Sequence, residues 1–278
     1  RKSKAAEEMT GEMDGIGKVR AEETAAGEVA CRFYVCAEQP MIVVEQERGN
    51  IELWHFTPHE AVSPRQKFGL ATGEEFRIDR NYRKNVPPKL RTEAAGGRVR
   101  ETVCIQELEA DYKTVTICQY DTQKNALFIS VGQERNLEEE SVRAVLANAR
   151  GVSGYKLCHQ TWWNRYYEIS GLSIPDQALQ AFYWRQIYKL GCVLRKESCV
   201  IDNQGVWLET TPWPGTWWNL NVQLCYWPLY TSGRLEQADS LNRHLAKYQD
   251  DLIENVAPEF REDSSGIGTN TTWNLKSR

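Results

Sequence analysis

Two asparagines and a group of tryptophans stand close together in the second half of the chain. Asn219 and Asn221 lie two residues apart, and Trp213, Trp217 and Trp218 precede them in a proline-containing loop. Indole faces stack on the C–H faces of sugars, and amides hydrogen-bond to sugar hydroxyls. The loop therefore predicts a saccharide cleft, in which the paired amides hold a water molecule or a sugar hydroxyl.

The same residues have a purely structural interpretation. Asparagine is a favoured N-cap residue, so Asn219 taken alone is more typical of a helix start, whose neighbouring aromatic residues pack between helices, than of a binding site. Residues two apart diverge in a helix interior, and Asn219 and Asn221 share one cleft only if they belong to an irregular first turn.

Other ionisable residues carry weaker signals. Asp202 and Glu209 are interpreted as solvated loop carboxylates, since acidic residues are seldom buried. His55 and His59 stand near the end of a predicted strand without a third ligand, so no metal site is assigned and no cofactor is expected. His159 is interpreted as a packing residue beside two tryptophans, and His244 as a surface residue.

Composition excludes some classes of protein. The 278 residues carry 34 Lys and Arg against 38 Asp and Glu, a formal net charge of −4. A nucleic-acid partner is not expected, because such proteins need a basic surface to neutralise phosphates. No apolar run approaches the ~18–20 residues of a membrane span. The eight cysteines form no C-x-x-C pair, which favours free core thiols over zinc sites, with some disulfides as the alternative.

Periodicity divides the chain into a β-rich part followed by a helical part. Alternating, β-branched segments predict six strands: 28–37, 41–47, 51–56, 98–108, 113–120 and 126–131. Residues 58–97 are interpreted as a long excursion. Three- and four-residue apolar spacing predicts five helices: 136–148, 154–169, 175–195, 220–230 and 235–255.

The predicted fold class is α+β. An antiparallel β-sandwich domain is expected over residues 1–135, a helical linker over 136–172, and a helical domain over 173–278. Pro175 is expected in the first turn of its helix.

Four motifs stand in order between residues 188 and 228. They are Tyr188-Lys-Leu-Gly191-Cys-Val-Leu-Arg195, Asn203-Gln204-Gly205-Val206-Trp207, Pro212-Trp213, and Asn219-Leu-Asn221-Val-Gln223-Leu-Cys-Tyr226-Trp227-Pro228. Together they resemble the start of the (α/α)6-barrel catalytic domain of glycoside hydrolase family 95, the α-L-fucosidase family and its relatives. In that family a β-sandwich precedes a helical linker and the barrel. With about four helices in residues 173–278, only part of a twelve-helix barrel is expected.

The resemblance implies an inverting glycoside hydrolase acting on an oligosaccharide or glycan, secreted or periplasmic. Asn219 and Asn221 match the pair that positions the attacking water. The substrate-binding residues that it implies, together with those of the tryptophan loop, are Gln204, Trp207, Trp213, Trp217, Trp218, Gln223 and Trp227. No general acid or base is assigned, and the oligomeric state and sugar stay open. A non-catalytic glycan-binding or scaffold protein is the alternative.

Overall fold

A computed structural model describes residues 10–11, 17–24, 27–49, 54, 56–58, 86–108, 112–147, 151–202, 213 and 215–277. The chain is α+β and divides into two compact units, the first reaching Arg165 and the second beginning at Tyr166 in its described part. The boundary falls inside a helix of the segment that the sequence assigns to a linker, 136–172.

The first unit contains one antiparallel sheet. Its strands are β1 (Thr10–Gly11), β2 (Gly17–Thr24), β3 (Gly27–Val35), β4 (Met41–Arg48), β5 (Lys89–Ala95), β6 (Arg98–Glu107), β7 (Tyr112–Asp121) and β8 (Ala126–Arg135). The order across the sheet is β1-β2-β3-β4-β8-β7-β6-β5. Consecutive strands pair within β1–β4 and within β5–β8. The pairing of β4 with β8 joins these two halves, with Val43 opposite Phe128.

The expected β-sandwich is not what the described strands form. All eight belong to one hydrogen-bonded sheet, and a helix covers its core face. Helix α1 (Glu139–Ala147) places Val142 and Leu146 against Val115, Ile117 and Phe128. An amphipathic helix supplies the apolar cover that a second sheet would otherwise give. On the opposite face Trp54 and Phe56 pack against Cys118, Tyr120 and Leu127.

Charged side chains fix α1 on the sheet. The guanidinium of Arg143 donates to both carboxylate oxygens of Glu101 on β6, at 2.6 and 2.8 Å, and to Glu139 one turn earlier at 2.8 Å. Arg91 on β5 also donates to Glu139, at 2.6 Å. These hydrogen bonds hold the pKa of Glu139 below its usual value, and the bond from Arg143 has the largest effect.

The second unit contains helices. α2 (Val152–Glu168) crosses the boundary, and α3 (Gln177–Val193), α4 (Leu220–Thr231), α5 (Leu235–Lys247) and α6 (Gln249–Glu254) follow, with the short strands β9 (Thr216–Trp217) and β10 (Asn270–Thr271) forming a pair. Asp176 caps α3, so Pro175 lies before the helix and not in its first turn as predicted.

Helices α4 and α5 form a hairpin around a shared core. The turn between them contains Gly233 at φ 72°, a left-handed conformation that glycine adopts at little cost. Val222, Tyr226 and Leu229 of α4 pack with Ala238 and Leu241 of α5. The Tyr226 hydroxyl is 3.1 Å from that of Ser240.

Among the described residues, no helix combines the length and the apolar character that crossing a membrane requires. All eight cysteines have free thiols; Cys36, Cys104 and Cys118 are buried, whereas Cys192 and Cys199 are exposed. Burial raises the pKa of Cys118 to about 12, so this thiol stays neutral at physiological pH.

Candidate functional site

The start of α4 is held by a segment far along the chain. β9 pairs with β10, with Trp217 opposite Asn270 and Thr216 opposite Thr271. Gly215 precedes β9 at φ 92°, and a Cβ atom there would lie 2.6 Å from the Thr271 carbonyl oxygen. Only glycine fits this position, so the tryptophan loop enters α4 along a path that the β10 segment fixes.

Trp218 is anchored at both its backbone and its indole. Its backbone N–H donates to the Thr269 carbonyl at 2.9 Å. Its indole Nε1–H donates to Oγ1 of Thr271 at 2.8 Å, and Thr271 is fully buried. A buried polar group without a partner is costly, so this bond fixes the ring orientation.

A pocket of about 330 Å³ opens beside this indole. The amides of Asn219 and Gln223 line it from α4, and Leu241 and Leu245 line it from α5. Its other lining residues are Trp218, Val222, Ile267, Gly268 and Thr269. An indole, two amides, a hydroxyl and aliphatic side chains are the groups that a sugar ring needs for stacking and for hydroxyl recognition, and the volume lies in the range typical of small-molecule sites.

Asn219 keeps its amide available to this pocket. It occupies the N-cap position of α4 with φ 61° and ψ −128°, and its side chain makes no capping hydrogen bond. Its carbonyl accepts from the Gln223 N–H at 3.1 Å. Asn219 is therefore the N-cap residue that the structural interpretation expects, but its exposed side chain does not make the capping hydrogen bond.

The two asparagines do not converge on the pocket. Asn221 is half-buried and is not among the described residues that line it. Asn221 belongs to the regular helix Leu220–Thr231, whereas Asn219 stands before it with non-helical φ and ψ. Gln223, four residues from Asn219, takes the place beside Asn219 that the sequence assigns to Asn221.

Trp213, Trp217 and Trp227 are not among the described residues that line the pocket. Trp213 and Trp217 stack on each other, with ring centroids 4.8 Å apart and 38° between the planes. Trp213 is 47% exposed and Trp227 is 53% exposed. Trp227 follows Gln223 by four residues and therefore extends the same face of α4. Gln204 and Trp207 lie outside the described residues.

Asp202 is buried, contrary to the prediction of a solvated carboxylate. Its Oδ2 accepts the Trp217 backbone N–H at 2.9 Å. A carboxylate that accepts a backbone N–H at a loop is a positioning group. Burial and the charge of Asp202 raise the pKa of the Cys225 thiol to about 11, so that thiol is neutral. Glu209 lies outside the described residues.

Of the histidine predictions, the one for His159 is confirmed and the one for His244 is wrong. His159 packs as expected, with its ring 5.0 Å from Tyr34 and 6.3 Å from Trp163. His244 is buried and not on the surface. Its Nε2 lies 2.6 Å from the Trp273 carbonyl oxygen, so its ring is paired in the interior. His55 and His59 lie outside the described residues.

One side of the pocket is not predicted from the sequence. Ile267, Gly268, Thr269 and the buried Thr271 come from a segment rich in Gly, Ser, Thr and Asn, a composition typical of a surface loop. No local pattern indicates that such a loop returns to the start of α4.

No protein-family model matches the chain, and no curated protein matches its sequence.

Proposed function

We propose that the chain is part of an inverting glycoside hydrolase related to family 95. The observation that carries this proposal is the pocket at the start of α4, where the amides of Asn219 and Gln223 stand beside the anchored indole of Trp218. Its support from the sequence is the ordered motif set around these residues. An oligosaccharide or glycan is the proposed partner.

The finer architecture is part of the same proposal. We place helices α3–α6 in the first helix pairs of an (α/α)6 barrel. The α4–α5 hairpin, with its three-residue connection, supports this because such barrels consist of paired antiparallel helices. Secretion, or a periplasmic location, follows from a glycan substrate.

In the proposed reaction a water molecule attacks the anomeric carbon while a carboxylic acid protonates the leaving oxygen. Asn219 is our candidate for orienting that water, because it lines the pocket and its side chain makes no capping hydrogen bond. An amide is a poor base, so a carboxylate must take the proton of the water. The role of Asn221 rests on the motif alone.

Replacing the amides tests this mechanism in the full-length protein. We expect Asn219→Ala to lower kcat/KM for aryl α-glycosides by about 100-fold or more, since a lost positioning group costs several kcal/mol in the transition state. Asn242→Ala, an exposed amide on α5 outside this pocket, is the matched control and should change kcat/KM less than twofold. Unchanged kinetics in both Asn219→Ala and Asn221→Ala would remove the asparagines from the mechanism.

A glycan-binding protein is the second candidate. No carboxylate is among the described residues that line the pocket, and binding without hydrolysis needs none. Calorimetry distinguishes the two functions. Saccharide binding that Trp218→Ala abolishes, with no turnover of any aryl glycoside by the full-length protein, would favour the binding protein.

A further inference from the structure

Residues 266–277, here called the strap, contact both the pocket at the start of α4 and Asn255 at the end of α6. At one end Ile267, Gly268 and Thr269 line the pocket beside Trp218. In the middle, Thr271 accepts the indole N–H of Trp218. The position of the strap therefore sets both the width of the pocket and the angle of its indole.

One side chain outside the pocket joins both ends of the strap. Asn255, directly after α6, donates from Nδ2 to the carbonyls of Gly266, at 3.0 Å, and Leu275, at 2.8 Å. Its Oδ1 accepts the Ser277 backbone N–H at 2.9 Å. A side-chain amide offers two donors and an acceptor, so one residue satisfies three backbone groups at positions 11, 20 and 22 residues away.

Two further hydrogen bonds hold the strap in this conformation. The Gly268 N–H donates to the Ser277 hydroxyl at 3.0 Å, so the pocket wall is tied to the residue that Asn255 holds. The Gly266 N–H donates to the Leu252 carbonyl of α6 at 2.9 Å. A Cβ on Gly268 would lie 2.8 Å from the Ser277 hydroxyl oxygen, which indicates how closely the two ends approach.

Asn255 is not among the described residues that line the pocket. Any effect that it has on a ligand must therefore pass through the strap. Lys276 offers a comparison on the same segment. Its ammonium lies 3.1 Å from the exposed Glu254 and 3.3 Å from the half-buried Asp251, and because Lys276 is itself exposed these ion pairs contribute little.

We propose that Asn255 is a positioning residue for the saccharide pocket, which it shapes by fixing the strap that holds Trp218 and forms the wall at 267–269. This inference rests on the proposed function for its ligand. The geometry of the Trp218 indole, however, is observable without any ligand.

The experiment compares Asn255→Ala with wild type in the full chain. We expect the indole N–H signal of Trp218, identified by its loss in Trp218→Phe, to shift in a spectrum of ¹⁵N-labelled tryptophan and to exchange with solvent at least tenfold faster. We expect calorimetric affinity for methyl α-L-fucopyranoside to fall about tenfold, as the loss of a net contact of this size implies. Asn255→Asp keeps the acceptor for Ser277 but loses both donors, and should behave like the alanine variant.

Lys276→Ala is the matched control, and neither the indole signal nor the affinity should change. An Asn255→Ala protein that folds and keeps the wild-type indole signal would overturn the inference, as would an equal change in Lys276→Ala. If wild type binds neither this glycoside nor other saccharides, the proposed function fails, while the indole signal still decides whether Asn255 controls Trp218.

Discussion

Arg234 is fully buried, and its guanidinium contacts oxygens and an aromatic ring of the second unit. It donates to the Ser170 hydroxyl at 2.8 Å, the Tyr166 carbonyl at 3.1 Å and the Ser232 carbonyl at 3.3 Å. It also lies 4.7 Å from the centre of the Tyr166 ring. The guanidinium of arginine is planar and has several donors, so it can bond these oxygens and stack on the ring together, whereas the ammonium of lysine cannot.

Removing this guanidinium should destabilise the protein strongly. We expect Arg234→Ala to lower the free energy of unfolding by about 2–4 kcal/mol, because two buried carbonyls lose their donor and the ring loses its cation. Arg234→Lys should recover only part of this loss. Urea unfolding monitored by circular dichroism measures it.

Arg261→Ala is the matched control. That arginine also donates to backbone carbonyls, those of Val256 and Glu254, but it is exposed. Its loss should cost less than about 1 kcal/mol. Equal effects of the two substitutions would show that burial of Arg234 adds nothing to stability.

His244 makes the stability of the second unit depend on pH. Burial lowers the pKa of His244, the nearby Lys247 lowers it further, and the hydrogen bond to Trp273 opposes both. Since the folded pKa lies below the unfolded value of about 6.5, the unfolded state binds more protons between the two. The stability that neutral His244 contributes is therefore complete above that value and is lost as pH falls towards the folded pKa.

His244→Gln should remove this dependence while keeping an N–H donor for Trp273. We expect the difference in free energy of unfolding between the variant and wild type to be constant from pH 7 to 8 and to shift in favour of the variant below pH ~6.5. Thermal melts over a pH series measure it. A difference that stays constant down to pH 5 would contradict the assignment.

Residue types alone do not predict these environments. Asp202 and His244 are interpreted from sequence as solvated, since such side chains usually are. Each is buried because one distant backbone group pairs with it, Trp217 for the first and Trp273 for the second. A pairing across 15 or 29 residues leaves no local pattern in the sequence.

At the scale of elements, strand β8 and helix α1 approach closely at a glycine. A Cβ on Gly132 would lie 2.8 Å from Cγ2 of Val142 and 3.0 Å from Cδ2 of Leu137. The glycine therefore lets α1 lie flat on the sheet, where Val142 and Leu146 complete the core.

Gly132→Ala should push these elements apart. We expect a loss of about 1–3 kcal/mol in the free energy of unfolding, the usual cost of overpacking a core. Gly171→Ala is the control, because a Cβ there meets nothing within 4 Å. The control should be neutral or slightly stabilising in the same urea titration. An unchanged free energy of unfolding in Gly132→Ala would show that α1 moves away from the sheet without loss of stability.

Elements with a clear hydrophobic period are predicted well. The sequence predicts β3, β4, β6, β7 and β8, as well as α1–α4, to within a few residues. Strand β5 is missed because it is an edge strand exposed at every position, so no alternation marks it. The helix predicted over 235–255 is two helices separated at Tyr248, since the apolar spacing continues across the break. Most of the strand predicted over 51–56 lies outside the described residues.

At the scale of the whole molecule, the change from β to α near residue 135 correctly predicts two parts of different structure. Residues 136–172, predicted as a linker, are not a separate body. Leu137, Val142 and Tyr155 belong to the core of the sheet, whereas Tyr166 belongs to the second unit. An amphipathic pattern identifies a helix but not the surface that the helix covers.

The two units should unfold as separate cooperative bodies, because each has its own core. We expect calorimetric melting to give two transitions. Gly132→Ala should lower the midpoint of one transition, and Arg234→Ala that of the other. A single transition that both substitutions shift equally would contradict this expectation.

The anchoring of Trp218 has a consequence for synthesis on the ribosome. Its indole bonds to a threonine 53 residues later in the chain, and domains form progressively as the polypeptide emerges. A nascent protein that has already completed α4 and α5 still lacks the hydroxyl that fixes the Trp218 indole until position 271 has left the exit tunnel.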